Sequence, residues 1–209
     1  MTDFSKLKLS EFLDQLASDA PTPGGGTAAA VSGAMGASLA AMVAALTLTR
    51  DKFADVHDAM RRIAQTAGDA RLQFINLARE DTEAYNLVLA ARRLTKDTDE
   101  QKGAREKAIA AANRRATEVP MRTASLAARV LAVLPELVEK GNPNAASDAG
   151  SAALLLESAA EGALLNVGIN LSGIPDPSFV AQMQAETARI QGDAQRLRAH
   201  VVAAVRKRF

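Results

Sequence analysis

Apolar residues along this chain recur at alternating steps of three and four, the spacing of helices with one buried face. The longest run predicts a third helix from about Asp51 to Leu94. Its inward positions are Phe53, Val56, Met60, Ile63, Ala67, Ala70, Phe74 and Leu77. Abundant Ala and an aromatic content of only 3% favour helix over sheet in the rest of the chain.

Prolines, glycines and helix caps set the boundaries of the other predicted helices. A short first helix ends near Ser18, and a second runs from about Thr27 to Thr49. A fourth helix extends to about Glu118, and a fifth is opened or kinked by Pro120 and ends at Gly141. Asn144 caps a sixth helix, and the last runs from the Asp176–Pro177 pair to about Arg206. We therefore predict one all-α domain over residues 1–209, a bundle of six or seven mostly long antiparallel helices.

One residue breaks the apolar stripe of the third helix. Continuing the count beyond Leu77 places Asp81 where an apolar residue is due, followed by Ala84 and Val88. A carboxylate is costly to bury without a partner. Asp81 is therefore expected either to line a cavity or to have a structural partner, such as an ion pair at the end of the core or a helix cap.

The segment from Pro21 to Thr27 contains two prolines and three glycines and leads into the second helix, where Thr27 can serve as N-cap or first residue. A loop without Cβ atoms at a helix N-terminus offers free N–H groups and the positive end of the helix dipole. It can bind an anion or a polarised carbonyl. The alternative is a tight turn between helices with no ligand.

The second helix is uncharged, since no charged residue lies between Ala20 and Thr49. Small residues recur at every fourth position, which lets neighbouring helices approach closely: Ala29, Gly33, Ala37, Ala41 and Ala45. Its large apolar residues form one stripe: Val31, Met35, Leu39, Met42 with Val43, and Leu46. A membrane-spanning helix is apolar all round, so we expect no membrane and instead a helix buried in a bundle or a dimer interface.

The predicted sixth helix carries polar residues on a stripe of Leu and small residues. Asp148 and Asn166 lie on that stripe, followed by Ile169 or Asn170, and no Lys, Arg or His occurs between Lys140 and Arg189. Asp148 therefore has no cation on its own helix. Asn166 and Asn170 are four residues apart and lie on one face. They are either binding residues or polar residues near the end of a helix.

Composition excludes several classes of function. With 25 basic and 24 acidic residues, the charge gives no case for a nucleic-acid partner. The chain has no cysteine, and its only histidines, His57 and His200, belong to no metal-ligand motif. We therefore expect no metal. The charged N-terminus is unlike a secretory signal, which favours a cytoplasmic location.

Several stretches together resemble the cyclodeaminase/cyclohydrolase family of folate enzymes. They are Pro21 to Gly26, Glu80-Asp81 with Ala84-Tyr85, Arg93 to Lys96, Ala116 to Pro120, Gly141 to Asp148, and Asn166-Val167 with Asn170-Leu171. Thr27 and Thr95 depart mildly from the pattern, where serine and proline are expected. The resemblance implies an all-helical homodimer that acts on folate carrying a one-carbon unit, and the small-residue helix is the expected dimer contact.

The resemblance leaves two reactions open. One hydrolyses 5,10-methenyltetrahydrofolate to 10-formyltetrahydrofolate, and the other closes 5-formiminotetrahydrofolate to the methenyl compound with release of ammonia. We expect the hydrolase, a methenyltetrahydrofolate cyclohydrolase, because 209 residues leave no room for a formiminotransferase domain. A non-enzymatic helical interaction protein is a further alternative. The folate is the substrate, and no metal or redox cofactor is required.

The expected site combines these elements in one pocket near the dimer interface. Asp81 and Asp148 are the candidate proton carriers, and Lys96 either steers the folate's carboxylates or acts as an acid. The expected substrate-binding residues are Thr22, Pro23, Gly24, Gly25, Gly26, Asn142, Asn144, Ser147, Asn166 and Asn170. Among them, the asparagines can read the donor and acceptor edge of the pterin, and the glycines allow the flat ring to approach the backbone.

Overall fold

A computed structural model describes residues 6–208 of the chain, and within that range every regular element is helical. The α-helices are α1 (Leu9–Leu16), α2 (Gly25–Leu48), α3 (His57–Arg92), α4 (Asp99–Leu131), α5 (Leu134–Lys140), α6 (Ala146–Leu171) and α7 (Pro177–Arg206). Two short 3-10 segments, Asp51–Val56 and Pro143–Ala145, precede α3 and α6. The predicted all-α bundle is confirmed.

Helix α2 is the centre of the bundle, and its small residues make this possible. A Cβ atom at Gly33 would lie 2.5 Å from the ring of Phe74 on α3, and one at Gly36 would lie 2.7 Å from Leu156 on α6. Both neighbours therefore pack on the bare backbone of α2. Phe74 and Leu156 are fully buried. The predicted close approach along the small-residue row is confirmed at Gly33, whereas the approach of α6 at Gly36 lies outside that row.

The stripe of large apolar residues on α2 lies on the side of the helix opposite to the small residues that contact α3 and α6. Met35, Met42 and Leu46 are 52%, 39% and 42% exposed, while Val31 and Leu39 are half-buried. Val43 of the same stripe is buried, so the single chain covers the stripe only in part, and its burial in a dimer interface stays a prediction.

Three predicted boundaries also need correction. The third helix begins at His57, after the 3-10 segment. The predicted fourth helix and the first part of the predicted fifth are one helix, α4, which continues through Pro120 to Leu131, and the rest of the fifth is the separate helix α5, which ends at Lys140 with Gly141 as its C-cap. Helix α2 begins two residues earlier than expected, with Gly24 as its N-cap, so Gly25, Gly26 and Thr27 form its first turn.

Two segments, Gly25–Leu48 and Pro143–Leu171, are long and apolar enough to cross a bilayer by length and composition. Buried residues make up 50% of the most apolar window of the first and 44% of the second. The core helices of a soluble bundle pass the same test, so these segments are weak evidence for a membrane protein.

Candidate functional site

The carboxylate of Asp81 lies directly against the first turn of α2. A Cβ atom at Gly26 would lie 2.6 Å from Cγ and 2.7 Å from Oδ2 of Asp81, so only glycine fits there without movement. The hydroxyl of Thr27 donates to Oδ2 at 3.0 Å, and the backbone N–H of Thr27 also favours the charged form of the carboxylate. An anion in this position also interacts favourably with the positive end of the α2 dipole.

Burial raises the pKa of Asp81 above its ordinary value, and the two hydrogen bonds from Thr27 only partly offset this. The carboxyl is half-buried rather than enclosed, so one side stays open to a ligand. A carboxyl group with a raised pKa and an open side holds a proton more readily than an ordinary aspartate, which suits a group that accepts and returns a proton.

A second buried hydroxyl supports Thr27. Thr82 Oγ1 lies 3.2 Å from Thr27 Oγ1, and both residues are buried, at 4% and 0% exposure. Thr82 follows Asp81 on α3, so the same turn of α3 supplies the carboxylate and the hydroxyl behind it.

Asn166 of α6 borders the glycine segment. A Cβ atom at Gly25 would lie 3.5 Å from Asn166 Nδ2, an ordinary van der Waals contact. The Asn166 amide donates to the carbonyl of Gly162 at 2.9 Å. Just before the helix, Pro23 is buried and Thr22 is half-buried. The structure thus brings Asp81, the glycine segment and Asn166 together.

Asn170 has a structural partner that its position on the stripe of the sixth helix does not indicate. Its side-chain amide donates to the carbonyl of Ala116 at 2.7 Å. That carbonyl would normally receive the N–H of residue 120, but Pro120 has none. Asn170 therefore replaces the missing helical donor and allows α4 to continue through Pro120. Its predicted contact with substrate stays a prediction.

The Gly141–Asp148 segment lies at the other end of α2. The backbone N–H of Asn142 donates to Thr47 Oγ1 at 2.9 Å. Gly26 and Thr47 are 21 residues apart in one helix, which is about 31 Å. The expected pocket shared by Asp81, Asn142, Asn144, Ser147 and Asp148 is therefore not formed within one chain.

The residues of that segment have local roles as well. Asn142, not Asn144, caps the 3-10 segment, since its Oδ1 accepts from the N–H of Asn144 at 3.1 Å. Helix α6 then begins at Ala146, so the prediction of Asn144 as its N-cap is wrong. Ser147 is exposed and Asp148 is half-buried in the first turn of α6.

Lys96 also lies apart from Asp81 within one chain. It is exposed in the loop after α3, and Asp81 precedes the last residue of α3, Arg92, by eleven residues, or about 16 Å along the helix.

The neighbour of Asp81 on α3 forms an ion-pair cluster. Glu80 accepts from Arg115 at 3.2 Å and also pairs with Arg122, both on α4. The cluster joins α3 to α4 beside Asp81. Glu80 and Arg122 of this cluster line a cavity of about 300 Å³, together with Gln73, Asn76, Ser125 and Arg129. The signal in the sequence was the spacing of seven between Arg115 and Arg122, which places both on one face of a helix.

Among residues 6–208, no group of three His, Asp or Glu side chains is placed to hold a metal ion. The group that bonds Asp81 is instead the hydroxyl of Thr27, and the neutral amide of Asn166 lies beside Gly25.

Comparison with known proteins agrees with this helical arrangement. The sequence profile of the family described as formiminotransferase-cyclodeaminase matches residues 8–189. The chain belongs to this family. A methenyltetrahydrofolate cyclohydrolase of Methylorubrum extorquens is 36% identical over 200 residues, which cover 96% of both chains.

Other members of the family have different lengths. The formimidoyltransferase-cyclodeaminase of Sus scrofa is 35% identical over 186 residues, which are 89% of this chain but 34% of that protein. The crystal structure of a formiminotetrahydrofolate cyclodeaminase from Thermotoga maritima superposes with a TM-score of 0.88, at 32% identity and over 98% of both chains. The predicted family resemblance is confirmed.

Proposed function

We propose that this chain is a methenyltetrahydrofolate cyclohydrolase, which hydrolyses 5,10-methenyltetrahydrofolate to 10-formyltetrahydrofolate. The observation that carries the proposal is the similarity to the Methylorubrum extorquens cyclohydrolase over 96% of both chains. The Asp81 carboxyl, which lies against the first turn of α2, supplies a group that can accept and donate a proton.

The reaction needs one proton to leave the attacking water and one proton to reach N5. The methenyl bridge is a cation shared between N5 and N10. Asp81 accepts a proton from water as the water oxygen bonds to the bridge carbon, which gives a neutral tetrahedral intermediate. Asp81 then returns that proton to N5 as the bond from carbon to N5 breaks. The remaining hydroxyl loses its proton to solvent and becomes the formyl carbonyl.

The position of Asp81 favours both steps. Its negative charge would stabilise a cationic bridge bound beside it, and its raised pKa brings it closer to the working pH. General acid–base catalysis of this kind contributes about 10²–10⁴-fold to a rate. The flat pterin needs close approach to the backbone, which the bare turn at Gly24–Gly25 allows.

Cyclodeaminase activity is the second candidate, because the structural relative from Thermotoga maritima is a formiminotetrahydrofolate cyclodeaminase. The two activities are separated by assaying methenyltetrahydrofolate hydrolysis and ammonia release from 5-formiminotetrahydrofolate with the same preparation. Hydrolysis well above the spontaneous rate is expected. Ammonia release without enzymatic hydrolysis would instead establish the cyclodeaminase, and a protein inert towards both folates would favour the non-enzymatic alternative.

We further infer that the functional form is a homodimer built on α2. The exposed stripe of Met35, Met42 and Leu46 has no cover in the single chain, and α6 beside it exposes Leu154, Leu165 and Ile169. A two-fold axis across the stripe near Leu39 pairs two α2 helices in antiparallel orientation. The glycine turn and Asp81 of one copy then approach the Asn142–Asp148 segment of the other.

Mixing two inactive variants tests this arrangement. If Asp81 and Asp148 act in one site from different copies, a heterodimer of Asp81→Asn with Asp148→Asn has one intact site. Random exchange of subunits then restores roughly a quarter of the wild-type activity, since half the dimers are heterodimers with one site each. If both residues act from one chain, the mixture stays inactive. A monomeric mass at assay concentration would also contradict the dimer. A cytoplasmic location stays a prediction.

A further inference from the structure

We propose that Thr82 is a positioning residue of the reaction: its buried hydroxyl donates to Thr27 and thereby keeps the Thr27 hydroxyl proton directed at Asp81. This inference rests on the proposed function, in which Asp81 carries the proton. Thr82 itself does not reach the substrate side of the carboxylate, so it acts only through Thr27.

The direction of the hydrogen bonds follows from counting protons. A threonine hydroxyl has one proton to donate, and an ionised carboxylate can only accept. Thr27 therefore uses its proton on Oδ2 of Asp81 at 3.0 Å. The contact of 3.2 Å between the two hydroxyl oxygens must then be a donation from Thr82 to Thr27.

This direction also determines which carboxyl oxygen takes up a proton. While Thr82 donates to Thr27, the Thr27 hydroxyl keeps donating its proton to Oδ2, so a proton gained from water is best held on Oδ1. Oδ1 is the carboxylate oxygen nearest to Gly26, at the bare turn of α2. Without the Thr82 donor, the Thr27 hydroxyl is free to rotate and to accept a proton from Oδ2 instead.

Few other groups influence this carboxyl. Helix α2 has no titratable residue, and α6 contributes the neutral amide of Asn166. The nearby cations of α4, Arg115 and Arg122, pair with Glu80. On α3, Tyr85 lies one turn beyond Asp81 and is exposed. Hydrogen bonds from Thr27 are thus the main interactions that favour the charged form of Asp81, against burial.

The test compares Thr82→Val, which keeps the shape but removes the hydroxyl, with Thr82→Ser, which keeps the hydroxyl. Thr123→Val is the matched control, because Thr123 is equally buried and its hydroxyl bonds only the carbonyl of Val119 in its own helix. The pH dependence of kcat is measured for each variant. Loss of the donor weakens the bond from Thr27 to the ionised carboxylate and so raises the pKa of Asp81.

For Thr82→Val we expect the acid limb of the kcat profile to move to higher pH, with kcat on that limb lower by about three- to tenfold. Thr82→Ser and Thr123→Val are expected to keep the wild-type profile. An unchanged profile in Thr82→Val, or the same displacement in Thr123→Val, would overturn the proposal.

A measurement without substrate separates this proposal from the proposed function. The titration of the Asp81 carboxyl carbon is followed by NMR in the free wild-type protein and in Thr82→Val. We expect the titration midpoint to rise in the variant even if the protein hydrolyses no folate. An unchanged midpoint would refute the role of Thr82, whereas a raised midpoint without any hydrolysis would refute only the proposed reaction.

Discussion

Gly26 and Asp81 contact each other so closely that residue 26 has no room for a side chain: a Cβ atom would lie 2.6 Å from Cγ of the aspartate. The contact joins the first turn of the central helix to the carboxylate that we assign to proton transfer. It also explains why an aspartate can occupy the apolar stripe of α3, because the facing helix offers N–H and hydroxyl donors there.

Replacing Gly26 with alanine is expected to displace the carboxylate and to break its bond to Thr27. Displacement of a catalytic group by about 1 Å can reduce a rate by about 10²-fold, so kcat/KM of Gly26→Ala should fall to that extent. Gly25→Ala should lose much less, since its Cβ meets only Asn166 at 3.5 Å. Gly68→Ala on α3, with nothing within 4 Å, is the neutral control.

Alanine is the better helix former by up to about 1 kcal/mol, so none of these glycine variants should unfold the helix in which it lies. Equal losses of activity in Gly25→Ala and Gly26→Ala would contradict the specific contact between Gly26 and Asp81.

The raised pKa of Asp81 predicts a pH-dependent effect on stability. Because the folded-state pKa lies above the ordinary value of 3.8, the folded state binds more protons between the two values. Stability therefore falls as pH rises through this window. The cost is absent below the ordinary value and fully present above the folded-state pKa.

The variant Asp81→Asn removes this ionisation, while the amide of the new side chain keeps an oxygen that accepts from Thr27. Its Tm relative to wild type is therefore expected to increase from about pH 4 towards neutral pH. Thermal unfolding of both proteins at several pH values checks this. A Tm difference that stays constant, or that shrinks as pH rises, would show that burial does not raise the pKa of Asp81.

The bond from Asn170 to Ala116 predicts a coupling with Pro120. Asn170→Ala leaves a buried carbonyl without a donor and should reduce the free energy of unfolding by about 1–3 kcal/mol. In a Pro120→Ala background, the new N–H of residue 120 can donate to Ala116, so the same change should cost less. Urea unfolding of the four proteins measures the coupling. Equal costs in both backgrounds would contradict the role assigned to Asn170.

The sequence predicted correctly those features that depend on the spacing of residues along a single helix. The count that placed Asp81 on the inward stripe of α3 is confirmed, because the buried residues Phe74, Leu77, Ala84 and Val88 share its face. The row of small residues likewise predicted the close packing around α2.

Contacts between residues far apart in the chain could not be predicted in this way. Pro120 interrupts no helix because its missing donor is replaced by Asn170, which lies on another helix. The separation of Asp81 from Asp148 follows from the length of α2, whose two ends hold the two groups. A list of polar residues gives no such distance, so the sequence did not show that the predicted pocket cannot form within one chain, and a pocket shared between two copies stays a prediction.

The most direct test of proton transfer by Asp81 is the rate of methenyltetrahydrofolate hydrolysis by Asp81→Asn. Asp69→Asn is the matched control, since Asp69 lies on the same helix and its carboxylate bonds only Gln65, at the exposed surface. With both variants folded by circular dichroism, we predict that kcat of Asp81→Asn falls by about 10²–10⁴-fold while Asp69→Asn keeps the wild-type rate. A kcat of Asp81→Asn within about twofold of wild type would contradict the assignment of proton transfer to Asp81.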